Sequence, residues 1–399
     1  MDALGWLIFL VALLASVMLH ETGHFVAAKR FGMKATRYFI GFGPTVWSTR
    51  RGETEYGIKA LPLGGFVKIE GMTSLDEVEP EDEPRSFRRA PGWQRLIVLA
   101  AGSFMHFVLA AVLIFGLALG IGVEQVQAGK TTQIGSVSAF VPSNETALVN
   151  GATCTNVQSP AARAGLAVGD QVTSFNGVRV SNWTQLQNEI LKVKPGTPVT
   201  LTVLRDGRSL NLHTELAEVK GHGSFFGIGT TSTTVFQREN PLDAIKSVGT
   251  GFSQVLTGSA SALAALPAAV PSLFKADRSC TSAGSVSSVV GAARETGQAV
   301  ASDAGWQAKV EFVLLLIASL NIFVGVLNLL PLLPMDGGHI AVVLWERIKA
   351  RIYRLRGRPD PGLVDYRKLI PLSFSIFVVL VVFGTLLIAA DIFNPVNIG

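Results

Sequence analysis

Charge is scarce in this sequence. Asp, Glu, Lys and Arg make up only 16% of its 399 residues, against 48% hydrophobic, and the mean hydropathy is +0.40. That balance excludes an ordinary soluble protein and places the chain among integral membrane proteins. Basic residues are missing from the first stretch: "MDALGW" lacks a basic leader, and the apolar run continues past two histidines, which argues against a cleaved signal peptide. Cysteine is almost absent. The two present, Cys154 and Cys280, share the long middle segment, where a disulfide and two free thiols are both open. No internal repeat is found.

What the chain has in abundance is apolar length. A spanning helix needs about 20 mostly apolar residues, and Ala3–Ala28, Leu96–Val123, Phe312–Leu333 and Leu369–Ala390 supply them. The net charge of +5 and sequence pI of 9.3 raise the question of nucleic acid. The distribution excludes it. Twelve Lys and Arg lie between Lys29 and Arg95 and eight between Arg347 and Lys368, while the middle segment is sparse. Basic connections face the cytoplasm, so both termini and the middle segment are expected outside. The expected location is a cell membrane, crossed several times, with the lipid bilayer as a partner and no organic cofactor.

The expected organisation runs as follows. Residues 1–28 form the first span and 29–95 a cytoplasmic or membrane-re-entrant β region. Residues 96–123 form the second span. A small α+β domain over 133–218 precedes an amphipathic helix over 240–275 and a linker over 276–311. A third span with a Pro- and Gly-broken segment covers 312–344, followed by a cytoplasmic loop over 345–368 and a fourth span over 369–390. In the β region, "RYFIGFGPTVWSTRRGETEYGIKALPLGGFVKIEG" groups aromatic and β-branched residues around glycine and a polar turn, which reads as hairpin. Such backbone survives at membrane depth only if covered by protein or facing a wet cavity. In the outer segment, short alternating strands surround the helical stretch "NWTQLQNEIL". There "AGLAVGDQVTSFNG" and the later "RDG" resemble a PDZ domain, from about Gln133 to Glu218.

Within the first span the sequence reads "VMLHETGHFVAA". Ionisable residues inside a membrane helix are costly and usually functional. His20 and His24, four apart, share one helix face, so both imidazoles can reach one ion while Glu21 reaches water beside it. Polar packing inside the bundle is the plainer alternative. Catalytic zinc takes three protein ligands, so a third is sought at the same depth. The third span runs in the same direction as the first, and its inner end, "NLLPLLPMDGGH", offers Asp336. Read alone, Asp336 is equally a helix cap or loop carboxylate.

Together these motifs resemble the site-2 protease family of intramembrane zinc metalloproteases, and the single-PDZ organisation is closest to the actinobacterial enzymes of regulated intramembrane proteolysis. The resemblance rests on HETGH, "GFGP", "LPLGGFVKIEG", the PDZ-like module, and Asn328, Pro331, Asp336 and Gly337 in the N-x-x-P-x-x-x-x-D-G pattern. It implies four transmembrane helices with one extracytoplasmic PDZ domain, Zn2+ held by His20, His24 and Asp336, and Glu21 as general base. It also implies substrate contacts at Asn328 and Pro331, and as substrate a pre-trimmed single-span membrane protein such as an anti-sigma factor. The sequence departs from the family where "AGSFMHF" replaces a Gly-Pro and an asparagine. His106 then stands as a polar cavity residue or an extra ligand, and His339 as a helix-face or outer-sphere residue. A non-catalytic membrane PDZ scaffold and another HExxH membrane protease are the competing readings.

Overall fold

The computed structural model describes residues 3–128, 131–143, 145, 148, 155, 157–275 and 287–395. Cys154 and Cys280 lie outside the described residues. In chain order the first elements are α1 (Ala3–Arg30), β1 (Ala35–Arg51), β2 (Thr54–Ile69), α2 (Gly92–Gly120), β3 (Val123–Ala128), β4 (Ile134–Val137), α3 (Pro160–Arg163), β5 (Gln171–Phe175), β6 (Val178–Arg179) and α4 (Trp183–Lys192). There follow β7 (Pro198–Arg205), β8 (Arg208–Glu215), β9 (Ala217–Val219), β10 (Gly223–Phe225), β11 (Ile228–Thr230), β12 (Ser232–Gln237), α5 (Pro241–Ala269), α6 (Val289–Ala301), α7 (Trp306–Leu329), α8 (Asp336–Leu355) and α9 (Ile370–Phe393). Four helical segments, Ala3–Arg30, Gly92–Gly120, Trp306–Leu329 and Tyr366–Phe393, are long and apolar enough to cross a membrane.

The chain divides into two compact units. The first comprises Met1–Ile121, Glu239–Leu263 and Ala292–Ile388. Its helices meet through small residues and aromatic rings. Ala110 and Ile114 of α2 pack on Ala318 and Ile322 of α7, and Val248, Phe252 and Val255 of α5 close over that seam. The amphipathic helix expected over 240–275 thus turns an apolar face to the bundle. A second cluster joins Ala28, Val98, Leu99 and Val343 to Met33, Ile69 and Phe87. Burying a ring such as Phe87 contributes about 1.5–3 kcal/mol. Arg95 of α2 donates to Glu346 of α8 at 2.8 Å with both side chains 8% exposed, which fastens these helices by charge.

The hairpin region is more folded than its sequence indicates. Arg37–Ile40 pairs with Gly65–Lys68 on one side and with Glu55–Ile58 on the other, while Trp47–Arg51 pairs with Thr54–Ile58. The Tyr38 run is therefore interior to the sheet. Among the described residues, Gly65–Ile69 and Thr45–Arg51 have a strand on one side only. Glycines and a Pro in each strand allow the chain to double back, and local runs do not reveal which segment lies between which.

Three other expectations need correction. The linker over 276–311 contains α6, whose Ala292 and Ala293 pack against Phe9 of α1, and α7 begins already at Trp306. The loop over 345–368 is helical through Leu355, because nothing after Asp336 breaks the helix before Gly357. The third span, expected over Phe312–Leu333, ends at Leu329, and Leu330, the residue before Pro331, is extended with ψ 140°, as crowding by a following proline ring requires.

The second unit comprises Gly122–Arg238, Ala264–Gly291 and Ala389–Gly399. Its antiparallel sheet has the order β6-β5-β7-β8. Trp183, Leu186 and Ile190, at helical spacing on α4, cover Val172, Phe175, Leu201 and Val203. Asn182 caps α4 by accepting from the Gln185 N–H at 2.9 Å. The domain boundary expected at 218 is too early: β11 pairs with β4, and Phe226 belongs to the same core. Arg205 donates to both carboxylate oxygens of buried Asp170 at 2.6 and 2.7 Å. That guanidinium holds the Asp170 carboxyl below the usual carboxylate range.

A depressed carboxyl stabilises the fold above its ordinary pKa and loses that contribution as pH falls. In Arg205→Gln the Asp170 charge is left buried without its partner. Hydrogen exchange of 171–205 in the full chain should therefore be faster than in the wild type at neutral pH. The gap should narrow below roughly pH 4, where aspartate takes up a proton. An unchanged gap across that range would contradict this account.

Candidate metal centre

Three side chains from two distant parts of the chain meet inside the first unit. His20 and His24 are both 8% exposed on α1, and Asp336 is the first residue of α8. His20 Nε2 and His24 Nε2 are 3.1 Å apart, and each is 3.3 Å from Asp336 Oδ2. His24 Nδ1 lies 2.7 Å from the Val98 carbonyl of α2. A carbonyl only accepts, so Nδ1 carries the hydrogen and Nε2 presents its lone pair to the other two atoms. With neutral imidazoles and an ionised carboxylate these three acceptor atoms have at most one hydrogen to share, so they repel one another unless a cation lies between them.

The donor set fits zinc. A tetrahedron with arms of about 2.0–2.1 Å has edges of about 3.3–3.4 Å, and the observed separations are 3.1, 3.3 and 3.3 Å. The His24–Val98 bond is the outer-shell contact that ordinarily fixes a ligating imidazole's tautomer. Backbone close-packing makes room for the set. A side chain at Gly102 of α2 would fall on His24 Nε2 and within 2.7 Å of His20 Cε1. Beyond Asp336, Gly337 packs its Cα against the Leu329 and Leu330 carbonyls, and Gly338 lies against the Leu333 amide. Asp336 can start a helix folded back on the end of α7 only because those two positions carry no side chain.

The other expected residues are placed as follows. Glu21 Oε2 accepts from the Val67 N–H of β2 at 2.9 Å, so the carboxylate is held by the Gly65–Ile69 edge. Tyr38 ties the same turn of α1 to the sheet through Thr22 Oγ1 at 2.8 Å and the Met18 carbonyl at 3.2 Å. Asn328 is half-buried in the last turn of α7, with no side-chain hydrogen bond among the described residues, and Pro331 is exposed in the break. Neither joins the three-atom contact. His339 stacks on Tyr366 and lies 3.2 Å from its hydroxyl.

His106 is buried beside the centre, its ring 4.9 Å from that of His20. Its Nδ1 lies 2.8 Å from Asn321 Oδ1, which also accepts from Ser16 Oγ at 2.5 Å. Asn321 Nδ2 donates to the Ile317 carbonyl at 2.8 Å, which fixes the orientation of the amide. His106 therefore donates through Nδ1. Sequence reasoning missed Ser16 and Asn321. A signal existed: each is a polar residue in an apolar span, Ser16 one turn before His20 and Asn321 two turns before Asn328.

Comparison with known proteins agrees with this chemistry. The sequence profile described as Peptidase family M50 matches residues 8–359. Zinc metalloprotease Rip1 of Mycolicibacterium smegmatis is 36% identical, covering 100% of this chain and 99% of its own. Rip1 of Mycobacterium tuberculosis is 35% identical, covering 99% of this chain and 98% of its own.

Gly102→Ala tests the packing of the centre. The added methyl should displace both imidazoles and weaken zinc retention at least about tenfold. The check is metal content after dialysis against chelators of graded strength, with circular dichroism to show that the helices persist. Undiminished retention would mean that the close approach of α2 is unimportant.

Proposed function

The chain belongs to peptidase family M50 and is a multi-pass membrane zinc metalloprotease of the site-2 protease type, and from that premise we propose that it hydrolyses a peptide bond within the spanning segment of other membrane proteins. His20, His24 and Asp336 hold the zinc. What supports this ligand set is the convergence of their three acceptor atoms at tetrahedral-edge separations. When bound, zinc supplies a Lewis acid that polarises the peptide carbonyl and acidifies water.

Glu21 is the general base. With Oε2 held by the Val67 N–H, Oε1 is the oxygen that takes a proton as water attacks the carbonyl carbon. Glu21 then returns that proton to the departing nitrogen as the C–N bond breaks. Asn328 and Pro331, at the break after α7, contact the substrate, with the Asn328 amide available to donate to the developing oxyanion.

A spanning helix must be unwound before its amides can be reached. The Gly65–Ile69 edge offers strand addition, trading internal for intermolecular hydrogen bonds. Only this edge adjoins Glu21. The second unit acts as a PDZ domain that begins near residue 133 and runs past 218 to include Phe226 and β11, binding the C-terminus left by an earlier cut or turning away bulky uncut proteins. The substrate class is a single-span protein already trimmed outside the cell, such as an anti-sigma factor. Both termini of the protease are extracytoplasmic, as the basic connections support.

Glu21→Gln should keep its zinc and lose at least about 100-fold in cleavage of a reconstituted single-span substrate. Asp336→Ala should lose both the metal and activity. Retained cleavage by Glu21→Gln would defeat the mechanism. Val67→Pro removes one outward N–H without touching the ladder to Tyr38, and turnover should drop while zinc content stays intact.

A further inference from the structure

The second half of α8 carries an apolar face that no part of the described chain covers. Val342, Val343 and Glu346 turn inward. On the opposite side, Leu344, Trp345, Ile348, Ile352 and Leu355 are exposed, with Trp345 at 57%, Ile348 at 51% and Leu355 at 79%. At 3.6 residues per turn these five positions fall within roughly 100° of arc, so they form one stripe.

Basic residues border that stripe. Arg347, Arg351 and Arg354 lie along one margin and Lys349 along the other, and Arg356 and Arg358 follow the last turn. None of the six makes an ion pair among the described residues. The one carboxylate on this stretch, Glu346, is buried and already accepts from Arg95 and from the Val364 N–H at 2.9 Å. Between Trp345 and Lys368 the other carboxylates are Asp360 and Asp365, against eight Lys and Arg, so the exposed charge of this connection stays positive.

From this face we infer that α8 lies on the cytoplasmic surface of the bilayer, its apolar stripe in the acyl boundary and its arginines on the phosphates of anionic lipids. A stripe of large apolar residues flanked by Lys and Arg is the pattern of an interfacial helix. Tethering brings it there. The helix is joined to α7 by the six residues 330–335 and to the last spanning segment by the ten residues 356–365. Ten residues reach at most about 35 Å, so the helix cannot leave the vicinity of the membrane. Charge argues against a second copy as the occupant, since two such faces would bring their arginines together. Anionic headgroups attract each basic residue by about 1 kcal/mol near the surface.

The test uses the full-length protein, one copy per nanodisc, in phosphatidylcholine alone or with phosphatidylglycerol. In discs containing phosphatidylglycerol, trypsin cutting between Arg347 and Arg358 should slow at least about tenfold, and 0.5 M salt should reverse the protection. Acyl-chain-brominated lipid should quench the fluorescence difference between wild type and Trp345→Phe. Arg351→Gln combined with Arg354→Gln should lose most of the salt-sensitive protection while the Trp345 signal remains quenched. The inference is overturned if Trp345 is open to aqueous acrylamide and insensitive to brominated lipid. Protection that appears only with two copies per disc, or only on adding a soluble protein, overturns it equally.

Discussion

Two imidazole nitrogens and a carboxylate oxygen held 3.1–3.3 Å apart are an unfavourable arrangement in the absence of a cation. Lone pairs face one another, and the buried side chains have little water to screen them. Much of the first unit can be understood as what keeps this arrangement in place. The Val98 carbonyl fixes the His24 tautomer, Gly102 lets α2 approach, and the backbone packing of Gly337 and Gly338 sets the start of α8 against the end of α7. A bound zinc ion turns the same geometry from a cost into a source of stability.

Around the centre, a second ring of contacts links chemistry to the β region. The turn of α1 that carries Glu21 is anchored to the sheet three times, through Glu21 to Val67, Thr22 to Tyr38 and Met18 to Tyr38. A strand edge proposed to receive substrate thereby shares its backbone with the group that orients the proposed general base. Any displacement of the edge is felt at the carboxylate without passing through the helices. The Ser16–Asn321–His106 cluster does the corresponding work between spans, joining α1, α2 and α7 by hydrogen bonds where apolar side chains alone give lipid-like packing.

The membrane reading also explains surfaces that would be liabilities in water. α9 exposes Phe374, Phe377, Val379 and Val382, which suits a span in contact with acyl chains. The stripe on α8 differs in being framed by arginines, and that framing separates a helix resting on a membrane from one crossing it. Both properties follow from side-chain type and helical period.

The sequence by itself determined the solvent, the spans and the chemistry. Apolar runs of more than 20 residues can only be membrane helices, and His20, Glu21 and His24 are four or fewer residues apart, so one local helix brings them together whatever the rest does. Asp336 was legible because the charge-based expectation for the direction of the spans places it at matching depth. What only the tertiary structure decided depends on long-range approach: the doubled-back sheet with Gly65–Ile69 as its inner edge, the Glu21–Val67 bond, the Asn321 and Ser16 contacts of His106, and the helix hidden in the expected linker. These pair residues separated by tens to hundreds of positions. Helical and strand periods fix which face a residue occupies, and packing alone selects the face it meets.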